Sequence, residues 1–199
     1  MVIAKSLPFF FAAGLCEIGG GYLALIRLVL SNSTSNDAGD ASDTNVGDSI
    51  CDTSPTTGDQ CTLRAAIQEA NAVAGDDTLT FSASLNDSTI TLSTALPDLS
   101  SNVTIAGSGA SSLTVQRSTA VGTPRFRIFT IAGGAITVNI SGLTISNGHT
   151  TAGTAGVNGD HGGGILNNFG KTLNLKNVAI SGNATGSGVT AEVSITMAP

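Results

Sequence analysis

From Asp77 onward the chain repeats one small pattern, an apolar, a polar and another apolar residue bounded by Gly, Ser or Asn. Ile90-Thr91-Leu92, Leu113-Thr114-Val115, Ile136-Thr137-Val138 and Leu173-Asn174-Leu175 all obey it. Period two is what a strand with one dry face requires, because successive side chains point to opposite sides. The first three triplets recur at 23 residues, and Leu79 and Phe81 precede Val103 and Ile105 by 24. Such regularity predicts a mainly β chain wound as a solenoid, a parallel β-helix in which equivalent side chains pile up along one axis. An antiparallel sandwich would share the alternation without needing a constant period. Leu173 and Leu175 come 37 residues after Ile136 and Val138, so the Gly-rich stretch SNGHTTAGTAGVNGDHGGG is expected to bulge as an insertion. The segment ISGLTISNG (140 to 148) also resembles KNVAISGNA (176 to 184).

Composition fits a narrow interior. Charged residues make up 11% of the 199, aromatics 4%, and Trp is absent, so the core must be built from Val, Ile, Leu and Ala. Glycine permits turns with positive φ, and Asn at successive turns can stack its amides in ladders. That gives Asn147, Asn167, Asn168, Asn177 and Asn183 a structural reading without a ligand. The net charge of −6 repels phosphate backbones, which argues against a nucleic-acid partner.

The first half divides into three parts. Residues 7 to 30 form a nearly continuous apolar run interrupted by Glu17 and Arg27, long enough for a membrane-spanning helix. The rival is a cleaved signal peptide, since Lys5 precedes the apolar stretch from Leu7 to Leu15. Either way residues 1 to 30 send the remainder across a membrane, toward a secreted or surface location. Residues 31 to 61 are an acidic linker or irregular cap carrying Asp37, Asp40, Asp43, Asp48, Asp52 and Asp59. Their spacing does not match an EF-hand loop, so a solvated acidic segment is the simpler reading beside calcium binding, and no cofactor is otherwise implied. Cys51 and Cys61 bracket a Pro/Thr/Gly/Asp loop that an exported chain could close with a disulfide, while no Cys/His spacing suits zinc. Residues 62 to 75 place Leu63, Ala66, Ile67 and Ala70 at helical spacing, with Thr62 as N-cap and Gly75 as stop. This amphipathic helix is expected to cover the open end of the stacked strands at 76 to 186. Residues 187 to 199 drop the pattern and read as an atypical, truncated tail.

No catalytic constellation is legible. Asp76 with Asp77, Asp160 with His161, His149, and the pair Arg125 and Arg127 are the groups with chemistry to offer. Asp160 and His161 lie in the Gly-rich insertion, where a chance loop histidine is the plainer reading. Arg125 and Arg127 alternate with Phe126, Ile128 and Phe129, so they should stand outside the strands, where they could contact a sugar acid. The Gly-rich segments lack the context of a phosphate-binding loop.

Two resemblances add to this reading. Cys61-Thr62-Leu63-Arg64-Ala65-Ala66, followed by IQEANAVAGDDTLTF with Asn71, resembles the CSLREA-type domain found ahead of β-helix repeats in bacterial secreted proteins. Thr62 and Ala65 depart from its Ser and Glu. GGGILNNFGKTLNLKNVAISGNAT is similar to the repeat of polymorphic outer-membrane and pectin-lyase-like coils. Over residues 31 to 186 the resemblance implies a right-handed parallel β-helix that is secreted or displayed, with glycans or other surface proteins as partners and no stated activity. Pectin-lyase-like enzymes would need calcium-gathering carboxylates with a nearby Arg or Lys base, a set absent here, so a polysaccharide lyase or hydrolase fragment is the runner-up. Residues 1 to 23, with Leu15-Cys16-Glu17-Ile18, resemble the opening of small four-helix inner-membrane proteins related to small multidrug transporters. In that family Glu17 would be a membrane-embedded proton or cation site. No further hydrophobic spans follow, which leaves a structural or adhesive display protein as the favoured expectation.

Overall fold

The computed structural model describes residues 32–54, 60–151, 161–186 and 193–195. The apolar segment 1–30 with Glu17, the stretch 152–160 with Asp160, and most of the tail 187–199 therefore lie outside the described residues. Among those described, no helix is long and apolar enough to cross a membrane.

The described residues are mainly β, with one α-helix, one short 3-10 turn and three parallel sheets. The first sheet orders β1 (Asn32–Ser35), β2 (Asp76–Phe81), β4 (Asn102–Ala106), β7 (Thr137–Ser141) and β10 (Thr172–Lys176) side by side. The second holds β3 (Ser88–Leu92), β5 (Leu113–Arg117), β8 (Thr144–Ser146) and β11 (Ala179–Ser181), and the third β6 (Phe129–Ile131), β9 (Ile165–Asn167) and β12 (Val193–Ile195). From β4 onward the strands of the first, second and third sheets succeed one another in that order. Every described strand pair is parallel, which removes the antiparallel sandwich.

The register corrects the 23-residue period. Its first interval joins β3 and β5, which do pair, two residues away from the true register, but Leu113 and Val115 belong to the second sheet and Val138 to the first, so its second interval joins strands that do not pair. The true partners are Ile90 with Val115, Leu79 with Ile105, Val103 with Val138, and Val138 with Leu173. The reason is physical. A slip of one residue turns a strand inside out, whereas a slip of two keeps every apolar side chain on the dry face. Alternation therefore fixed the faces and left the register open. Val103 to Val138 and Val138 to Leu173 span the same number of residues, so the Gly-rich stretch is no longer a unique insertion. The earlier spacing is made up by longer connections from β4 to β5 and from β5 to β6.

Inward-facing Leu79, Ile90, Leu92, Ile105, Leu113, Val115, Ile131, Val138, Ile140 and Ile145 are buried and form one core. Each such aliphatic side chain contributes about 1.5–3 kcal/mol relative to exposure. The corner between the first and second sheets is too close for side chains: a Cβ on Gly107 would strike the carbonyl of Gly142, and Gly142 itself has φ +62°. The apolar positions of β10 and β11 are less well covered. Leu173, Val178 and Ile180 are only partly buried, and Leu175 is 39% exposed where its register partner Ile140 is 1% exposed.

The near end is closed by helix α1 (Leu63–Ala72), whose first turn begins where the Thr62 side chain accepts from the Ala65 N–H. Leu63, Ala66, Ile67 and Ala70 join the core. The helix ends at Ala72, short of Gly75, because the chain turns extended at Val73 to enter β2. Around α1 the acidic segment is folded back and stitched down. Cys51 and Cys61 are joined by a disulfide, with Cα atoms 5.2 Å apart.

Arg64 is the centre of that seam. It is 7% exposed, and its Nη2 and Nε lie 2.7 and 2.9 Å from Asp40 Oδ1. Nη1 donates to the Ala95 carbonyl and Nη2 also to that of Thr94, while the other oxygen of Asp40 accepts from the Ser93 N–H and hydroxyl. One ion pair thus ties the cap, the helix and the turn after β3. Asn71 adds a second tie, donating to the Asp98 carbonyl and accepting from the Ser100 N–H. Replacing Arg64 with Met leaves Asp40 and two carbonyls without their donor. Arg64→Met should lower unfolding stability by about 2–4 kcal/mol in urea titration, and a loss under about 0.5 kcal/mol would remove the pair from its structural role.

Candidate functional site

The residues singled out from the sequence fall into two separate regions. Cys51, Cys61, Leu63, Arg64, Ala66 and Asn71 belong to the cap described above, where the disulfide, the helix face and the Arg64 and Asn71 bonds give all six a structural task. The acidic side chains around them are likewise engaged. Asp37 accepts from the Gly39 N–H, Asp43 from Asn45 and Asp52, Asp48 from Ile50, and Asp52 from Ser54. Buried Glu69 accepts from the N–H groups of Gly47 and Ser49. Its pKa is raised by burial, and those two bonds only partly offset the shift. Among the described residues, no group of three or more His, Cys, Asp or Glu side chains is placed to hold a metal ion. Asp76 is exposed and accepts from the Asn102 amide, whereas Asp77 is buried at an inward position, so these neighbours face opposite sides of β2.

The second region is the corner between the second and third sheets, and it is cationic. Arg117 ends β5, and Arg125 and Arg127 sit on the chain leading to β6, where Phe126, Ile128 and Phe129 turn inward and leave the arginines outside. The chain after β8 brings His149 alongside, its backbone N–H donating to the Phe126 carbonyl at 2.8 Å. Arg117 Nε donates to the Asn147 carbonyl at 2.9 Å and its Nη1 to that of Pro124 at 3.4 Å. Arg127 Nη2 reaches the His161 carbonyl at 3.0 Å and its Nε that of Gly162 at 3.4 Å. Arg127 and His161 are thus brought together through the backbone of residue 161, while Asp160 lies outside the described residues.

Sequence reading singled out the pair Arg125 and Arg127, His149, and Asp160 with His161 as unconnected candidates, and missed Arg117 altogether. The missing signal was charge distribution: from Leu99 to Gly159 the sequence contains no Asp or Glu, so these arginines have no carboxylate nearby in the chain. The only ion pair among the described residues is Arg64 with Asp40, at the turn after β3. The His149 pKa is lowered first by burial and then by the positive charges of Arg125 and Arg117.

The polar groups on the outer faces are organised in rows. Asn174 donates to the Asn139 amide at 2.9 Å, and Asn139 in turn to the Thr104 hydroxyl. On the second sheet Asn147 donates to Gln116 and Gln116 to Thr91. Amide-to-amide contacts therefore join Asn139 with Asn174 and Asn147 with Gln116. The five turn asparagines expected to stack do not bond one another: Asn147, which bonds Gln116, and Asn177 take positive φ, Asn167 caps the Lys171 carbonyl, the Asn168 backbone N–H donates to the Ile131 carbonyl, and Asn183 bonds the Ile145 carbonyl and the Gly148 N–H.

His149 has a consequence for pH. Because the fold holds its pKa below the ordinary 6.5, the unfolded chain takes up its proton first as pH falls, so stability declines from about pH 6.5 down to the folded value. Glu69 acts oppositely, its raised pKa removing stability as pH rises from 4.5 through the folded value. The difference between wild type and His149→Gln isolates the histidine: in thermal melts, the variant should lose less stability than wild type between about pH 7.5 and 5.5. Identical losses would mean that His149 is not shielded by the fold. No family model, curated protein or solved structure matches the chain.

Proposed function

We propose that the chain is an exported or surface-displayed protein of structural or adhesive type, and that its three parallel sheets are the faces of a right-handed parallel β-helix capped by α1. The observation that carries the reading is the cyclic succession of the sheets, with inward positions apolar and outward positions occupied by bonded rows of Thr, Asn and Gln. A stack of this kind produces a long, regular, hydroxyl- and amide-bearing exterior, a surface fit for lying along a glycan or another extracellular protein. The Cys51–Cys61 bridge suits an oxidising compartment. The likeness of residues 61–81 to the CSLREA-type signature and the apolar run at 7–30 point the same way.

Expression of the full chain with its own N-terminus in a bacterial host tests the compartment. The expected result is a product outside the inner membrane, digested by protease added to intact spheroplasts, with Cys51 and Cys61 unreactive toward thiol reagents until reduced. A protease-protected cytoplasmic product with both thiols free would reject export.

A further inference from the structure

We infer that the β10 edge of the first sheet is a docking surface for a second copy of this chain, which it meets head to tail through that copy's acidic cap. The inference stands on sheet order and charge and needs nothing from the export reading above. β1 and β10 are the outer strands of the first sheet, and among the described residues each has a strand partner on one side only. An outer strand offers a row of N–H and C=O groups that another chain can extend. Exposed apolar side chains mark the same two places. Val46 and Ile50 flank the Gly47 and Ser49 N–H groups bonded to Glu69 of α1, the helix that packs on β1 and β2, while Phe169 and Leu175 lie just before and within β10. These are four of the five large apolar residues exposed among the described ones, so the surplus apolar surface is gathered at the cap and at β10.

Charge selects which surface meets β10. Residues 31 to 61 carry six Asp and no Lys or Arg, and Arg64 pairs with one of the six, Asp40. Residues 161 to 186 carry Lys171 and Lys176 and no Asp or Glu, and Lys176 is exposed at the end of β10. Two β10 edges facing each other would bring lysines toward lysines, the device by which a sheet edge discourages its own kind. A β10 edge facing the cap brings lysines toward carboxylates instead. Stacking in this sense keeps every strand parallel. The outward row that runs from Thr104 through Asn139 to Asn174 then leads on to Thr34 of the next copy, which already bonds Thr80. Such a contact joins two different surfaces and does not close on itself, so its product is a short filament and not a dimer.

Analytical ultracentrifugation of the purified full chain tests this, in one mild detergent throughout so that residues 7–30 contribute equally to every sample. Leu175→Asn/Lys176→Gln removes the β10 surface, and Val46→Lys/Ile50→Lys spoils the cap surface. Wild type should form oligomers that lengthen with protein concentration and shorten with added salt. Each double variant alone should stay monomeric, and their equimolar mixture should stop at a heterodimer, because one intact edge then meets one intact cap. Lys176→Gln alone, at an exposed position, should raise the Kd of association about fivefold with an unchanged melting temperature, which separates a lost contact from a lost fold. Monomeric wild type, undiminished self-association of either double variant, or a mixture that stays monomeric would overturn the inference. So would a wild-type dimer that does not lengthen and is abolished by the β10 variant alone, since that result assigns β10 to pairing with its own kind.

Discussion

The parallel backbone ladder is the constraint from which everything else in this protein follows. A parallel pair cannot be closed by a tight hairpin, so each strand must be reached through a longer excursion of the chain. Here that excursion runs through two other sheets before returning. Once Val103, Val138 and Leu173 are aligned, the polar residues between the inward positions are aligned too, and Thr104, Asn139 and Asn174 come within bonding distance of one another. The core and the outer rows are two faces of one register.

A stack of parallel strands has ends, and the two ends of this one are treated differently. At the near end, α1 fills the interior and the acidic segment is drawn over it by Arg64, Asn71, Glu69 and the disulfide. Carboxylates are spent there on turn and cap bonds. At the far end the inward side chains of β10 and β11 are partly exposed. Charge is divided along the chain, with carboxylates concentrated in the cap and none from Leu99 to Gly159, the stretch that carries Arg117, Arg125 and Arg127.

Much of the fold was legible because alternation and helical spacing are local properties. The triplets at 90, 113 and 136 lie on strands or at their edges, and Thr62, Leu63, Ala66, Ile67 and Ala70 sit where an N-cap and an apolar helix face should be. Register was not legible, since Leu79 opposite Val103 and Leu79 opposite Ile105 bury the same kind of side chain. Asp40 read as part of a solvated acidic run because its partner, Arg64, is 24 residues away and only the folded cap brings the two together. The arginine corner was visible only in fragments. Arg125 and Arg127 announced themselves by alternation, but Arg117 joins them through carbonyls on two different loops.

The stacked register is open to a direct test by cysteine pairs introduced in a Cys16→Ser background. Thr104 and Asn139 are outward neighbours on adjacent parallel strands, about 5 Å apart, within the span of a disulfide. The Thr104→Cys/Asn139→Cys variant should oxidise rapidly and nearly completely in the folded protein. Gln116→Cys/Asn139→Cys, whose members lie in different sheets, should not. Bridging of the second pair as readily as the first, or failure of the first to bridge at all, would contradict the arrangement on which the fold and its surface depend.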